Sequence, residues 1–133
     1  MRMADDARNE LVRQWLDKAD ADIRASEYLL PQVAFSEIIC FHAQQCAEKL
    51  LKSLLAHKEI EIAKTHNLKH LLDMTGLSVA DIGVEVRDIR KLSSYSVDAR
   101  YPVGSPMPGI EDAKEAIEIA KRIRDAVLKG IGE

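Results

Sequence analysis

The sequence predicts an all-α fold, an antiparallel four-helix up-and-down bundle with an additional short helix. Three observations predict it. Apolar residues recur at helical spacing over long stretches, as in Val12, Leu16, Ala19, Ile23 and Leu30. The six glycines and four prolines gather outside those stretches, where they interrupt nothing periodic. No segment alternates polar and apolar residues for long enough to be a half-buried strand. At 133 residues the chain has the length of one domain, 1–133, able to bury a core without disulfides or metals.

Each element can be justified in turn. The first helix is expected from Asp5 or Asp6 to Leu30, where Pro31 removes a donor and stops it. A short PQVAF linker leads to the second, from about Ser36 to about Lys58. Thr65 reads as the cap of a short third helix, HNLKHLLDM, closed by Gly76. The following SVAD has the pattern of a capping box with Asp in place of Glu or Gln. A fourth helix is expected over Val84 to about Val97. PVGSPMPG, with three prolines and two glycines, must be a loop. The last helix runs from about Glu111 to Lys129, with Glu111 and Asp112 early and Lys121, Arg122 and Arg124 late, which suits the helix dipole.

A net charge of −3 gives no overall basic surplus of the kind that phosphate-driven nucleic-acid binding draws on, so RNA is the less favoured partner. No charged start precedes an apolar run, and no apolar run is long enough to span a bilayer. The expectation is a cytoplasmic protein without membrane attachment. Cys40 and Cys46 fall six apart on one helix, about 9 Å along its axis, too far for a disulfide between them. Both read as reduced thiols.

The second helix carries a polar stripe. Ile39, Ala43, Cys46, Ala47, Leu50, Leu51 and Leu54 share one half of its circumference; Phe41, His42, Gln45, Glu48, Lys49 and Lys52 share the other sector. Glu48 and Lys52 stand four apart in the order that favours an ion pair. By spacing alone the stripe is a solvated face. Phe41 beside His42 and Gln45 is what that reading leaves unexplained, because a phenyl ring there suits a partner helix or a stacked base. In YSVDARYP, Arg100 can fork onto a phosphate and Tyr101 can stack on a base; alternatively Arg100 caps the helix end and Tyr101 packs over it. Tyr95 fits a core or interface position. His42 with Cys46, and His66 with His70, share helical faces, but two ligands do not close a zinc site, so neither a metal nor any other cofactor is expected.

Taken together and in order, FHAQQCAEKLLKSLL, THNLKHLL and YSVDARYP resemble the HEPN (higher eukaryotes and prokaryotes nucleotide-binding) domain family, and with the flanking helices they cover nearly the whole chain. The resemblance implies a helical bundle, often dimeric, and in many prokaryotic members a small nucleotidyltransferase partner within a toxin–antitoxin pair. Some branches are metal-independent ribonucleases whose activity depends on an Arg followed four to six residues later by a His. Here Gly104, Ser105, Pro106 and Met107 follow Arg100 over that interval, none of them a His, and no other Arg–His pair has the spacing. The function expected is therefore that of a non-catalytic module binding a nucleotide, a nucleotidyltransferase partner, or both. Its site residues would be Phe41, His42, Gln45, Lys49, Lys52, Tyr95, Arg100 and Tyr101. One alternative is a metal-independent ribonuclease with a rearranged site, for instance His42 with Arg100; the other is a purely structural dimeric interaction protein. Homodimerisation is expected on physical grounds too, since Trp15, Tyr28, Phe41 and Tyr95 are more large side chains than one small core easily hides.

Overall fold

The computed structural model describes residues 2–97, 99 and 101–132. Among them there are helices and no strands: α1 (Arg2–Leu29), α2 (Ser36–His57), α3 (Leu68–Thr75), α4 (Val79–Ile82), α5 (Val86–Ser93) and α6 (Ile110–Ile131), with one 3-10 turn, Val33–Phe35, between α1 and α2. This is the all-α bundle that the periodicity predicts. None of these helices is long and apolar enough to cross a membrane.

α2 is the axle. It packs against α1 on one side, α6 on another and α3 at its far end. Ile39, Leu50, Leu51, Leu54 and Leu55 are all but inaccessible, and Cys40, Ala43, Cys46 and Ala47 between them are small enough for neighbouring helices to approach closely. α1 meets it with Ala19 and Ile23, and α6 with Ala113, Ala116, Ala120, Ile123 and Val127. Ser26, wholly buried, donates its hydroxyl to the Ile39 carbonyl at 3.2 Å, so the polar atom that α1 brings into the seam is satisfied. Both thiols are buried and unbridged.

The chain ends α1 one residue before Leu30, turns through Pro31, and starts α2 at Ser36 as expected. α1 begins earlier than its acidic residues suggest, at Arg2. The cap of α3 is Asn67 rather than Thr65: Asn67 Oδ1 accepts from the His70 N–H at 3.0 Å, and Thr65 Oγ1 instead accepts from the Asn67 N–H, two residues too early to start the helix. Gly76 closes α3 at φ 83°, a left-handed conformation that costs a residue with a Cβ. The capping box at Ser78 forms as read, with the Ser78 N–H on Asp81 Oδ2 (2.8 Å) and the Asp81 N–H on Ser78 Oγ (3.2 Å), but it starts only the single turn α4.

The fourth helix is shorter than expected. Gly83 at φ 83° ends α4, and α5 restarts after Glu85, whose N–H is held by Asp88 Oδ2 at 2.9 Å. α5 then stops at Ser93 instead of reaching Val97. The described residues after it make turns and irregular backbone up to Gly109, whose N–H bonds Asp112 Oδ2 at 2.9 Å and starts α6.

Candidate functional site

The polar stripe of α2 is built around two buried carboxylates. Asp22 of α1, 8% exposed, lies against the stripe: His42 Nδ1 is 2.9 Å from Oδ1 and the Lys49 ammonium is bonded to Oδ2. Glu48, 5% exposed, receives Lys52 Nζ at 3.0 Å, His66 Nδ1 at 2.8 Å and Gln44 Nε2 at 3.3 Å. Gln44, wholly buried, also donates to the His66 carbonyl at 3.2 Å and accepts from Gln45 Nε2 at 2.7 Å. Lys52 Nζ lies 5.6 Å from the centroid of the Trp15 ring, so its positive end meets both a carboxylate and an aromatic face. Burial alone would push the Glu48 carboxyl up. Hydrogen bonds from His66 and Lys52, with the Lys52 charge beside them, outweigh it and hold Glu48 below its ordinary value, hence ionised at neutral pH.

This arrangement divides the residues expected at a site. Lys49 and Lys52 are neutralised inside the bundle by Asp22 and Glu48. His42 and Gln45 are half-buried, His42 held by Asp22 and Gln45 by Gln44 of the Glu48 group. Phe41 turns the other way. With Ile38 and Glu37 of α2 and Tyr95, Val97 and Tyr101 from the segment after α5, it lines a cleft of about 490 Å³. The edge of Phe41 also rests on His42, ring centroids 5.3 Å apart at 74°, which ties the cleft to the charged network. Burial raises the Tyr95 and Tyr101 phenols above their ordinary value, so both stay neutral and can donate. Arg100 lies outside the described residues. No group of three or more His, Cys, Asp and Glu among the described residues is arranged to hold a metal ion.

Asp22, Gln44 and His66 were missed as members of the network. Asp22 had a signal. It falls between Ala19, Ile23 and Ser26 on the buried stripe of α1, where an acid needs a partner from another helix. Gln44 and His66 had none, because their meeting depends on the path between α2 and α3.

A family model described as the HEPN domain matches residues 12–131. The chain is also similar to a crystal structure of ST0689, an archaeal HEPN homologue, at 30% sequence identity and a TM-score of 0.72, over 90% of this chain and 97% of that one. No curated protein matches it. Near-complete coverage by the family model, with a solved relative that superimposes on almost the whole bundle, places this chain in the HEPN domain family.

Proposed function

We propose that this HEPN domain is a non-catalytic module that binds a nucleotide, with the base in the aromatic cleft. The observation that carries the reading is the convergence of Phe41 with Tyr95 and Tyr101 on one cleft of about 490 Å³. That volume falls within the range of small-molecule sites, roughly 300–1,000 Å³. Aromatic side chains accept any base by its π-face, and a neutral Tyr hydroxyl adds a hydrogen bond at the edge. The non-catalytic part rests on the missing Arg–His pair and on the state of the imidazoles. His42 and His66 each spend Nδ1 on a carboxylate, and the nearest stripe lysines are spent on the same two carboxylates.

A specific observation favours a protein partner at the same place. Ile38 and Val97, at the edges of the cleft, are 46% and 51% exposed. Apolar side chains beside an aromatic cleft suit a second copy of the chain, so the module is proposed to act as a homodimer. In line with the family resemblance, a small nucleotidyltransferase is the proposed heterologous partner, in a toxin–antitoxin-like pair.

Calorimetric titration of the chain with adenosine, AMP and ATP tests the nucleotide reading. Tyr101→Ala is expected to weaken binding about tenfold or more, one stacked base being worth roughly 1–3 kcal/mol. No heat above background, or a Phe41→Ala/Tyr101→Ala variant of unchanged helicity that binds as tightly as the parent, overturns it. Sedimentation tests the dimer: a dimer mass that Ile38→Asp converts to monomer is expected, and a monomeric parent chain at micromolar concentration overturns it.

A further inference from the structure

Two polar clefts lie beyond the aromatic one. The first, about 400 Å³, is lined by Lys64, His66, Asn67, Ser93 and Ser96 among others. The second, about 530 Å³, lies between α3 and α5 and is lined by Lys69, His70, Asp73 and Arg90 together with Asn67 and Ser93. Shared residues join the three into one groove. Ser96 borders both the aromatic cleft and the first polar cleft, and Asn67 and Ser93 border both polar clefts.

Charge along this groove is uneven. Among the described residues that line the aromatic end, the charged one is Glu37, which disfavours a phosphate beside it. At the far end the sign is positive. Lys69 is balanced by Asp73 at 2.6 Å, whereas Lys64 and Arg90 have no ion-pair partner among the described residues. Lys49, Lys52 and Lys91 differ in each being held by a carboxylate. Unneutralised cations along an open, hydroxyl-lined groove are available to an anion, and a planar guanidinium can take a phosphate with two parallel N–H bonds. Two of the bordering hydroxyls are fixed: Ser93 Oγ accepts from the Leu68 N–H at 3.0 Å and donates to the His66 carbonyl at 3.3 Å, and Ser94 Oγ donates to the Lys91 carbonyl at 2.6 Å. Both shape the groove, and Ser96 is the further hydroxyl on its border. His66 is fixed as well, because Glu48 holds its Nδ1 and leaves Nε2 as the nitrogen not used by that bond.

We infer that the two polar clefts, which meet at Asn67 and Ser93, form a phosphate subsite, with Lys64 of the first and Arg90 of the second as its principal cations, adjoining the aromatic cleft at Ser96. Its ligand is a phosphate ester whose charged part is held away from its base: a nucleoside polyphosphate or a short single strand. The base end rests on the nucleotide reading above; the phosphate end does not.

Titration of the full chain with sodium tripolyphosphate, adenosine, ATP and a short single-stranded RNA separates the parts. Tripolyphosphate is expected to shift the backbone amide resonances of Lys64, Arg90 and Ser93. Lys64→Glu/Arg90→Glu is expected to weaken tripolyphosphate and ATP by about tenfold or more and to leave adenosine unchanged. Both positions are exposed, so helicity and melting should not change; Lys114→Glu/Lys129→Glu, two exposed positions of α6, makes the same change in net charge away from the groove and serves as control. ATP bound more tightly than the RNA identifies a nucleoside polyphosphate as the ligand, and the reverse identifies a strand. Tripolyphosphate that moves no resonance in the groove, or a Lys64→Glu/Arg90→Glu variant that binds tripolyphosphate as the Lys114→Glu/Lys129→Glu control does, overturns the inference. Failure of adenosine alone sinks the base reading and leaves the phosphate subsite standing.

Discussion

Glu48 and His66 meet across the bundle at 2.8 Å, a carboxylate from the middle of α2 holding an imidazole from the segment before α3. The bond joins the buried charged network to the polar groove. Because Glu48 also holds Lys52 and Gln44, any change there is felt by several groups together.

Glu48→Gln is therefore expected to destabilise the fold by about 3 kcal/mol, since it leaves the Lys52 ammonium buried without its counter-charge. Urea unfolding at neutral pH measures it. A loss below about 1 kcal/mol means that Trp15 and water satisfy Lys52 unaided, and the network is then not structural.

The same carboxylate sets an acid dependence. Its folded value is lowered from the ordinary 4.5, so the unfolded chain takes up this proton more readily than the folded one. Its contribution is fully present above about pH 4.5 and is lost as pH falls through the folded value. The difference in urea midpoint between the parent and Glu48→Gln should narrow below pH 4.5. A constant difference between pH 7 and pH 3 contradicts the assignment.

Cys40 and Cys46 should be inert in the native protein. Burial pushes both thiols up to about 12, so almost no thiolate forms at pH 8. Ellman's reagent is expected to find no reactive thiol in buffer and both in urea. Rapid labelling of the folded chain speaks against the packing of α2 described here.

Gly83→Ala should cost about 1 kcal/mol. The position sits at φ 83°, and a Cβ would also come 3.2 Å from the Arg122 guanidinium that now donates to the Gly83 carbonyl. A melting temperature equal to the parent's contradicts the left-handed turn between α4 and α5.

Much of this fold was legible in the sequence. α1, α2 and α6 are long enough for their apolar stripes to repeat several times, and Pro31 and the Ser78 box mark boundaries by local chemistry. Nothing in Ser94–Val97 breaks a helix by local chemistry, there being no proline or glycine there; what stops α5 is the turn that carries Tyr95 into the core. The candidate site was legible only in part. Phe41 and Tyr101 were both named as base contacts, yet their sharing of one cleft depends on the path of the chain after α5. Lys49 looked free on a helical wheel, which cannot display a carboxylate arriving from α1; the Glu48–Lys52 pair was legible from its spacing of four, but its place against Trp15 was not.

Amide chemical-shift mapping of the chain during titration with ATP puts the nucleotide reading to its sharpest trial. Perturbations concentrated at Tyr95, Ser96 and Tyr101, continuing to Ser93 and Arg90, are the expected pattern. Perturbations centred on Lys49 and Lys52, or none at millimolar ATP, would mean that the aromatic cleft does not hold a base.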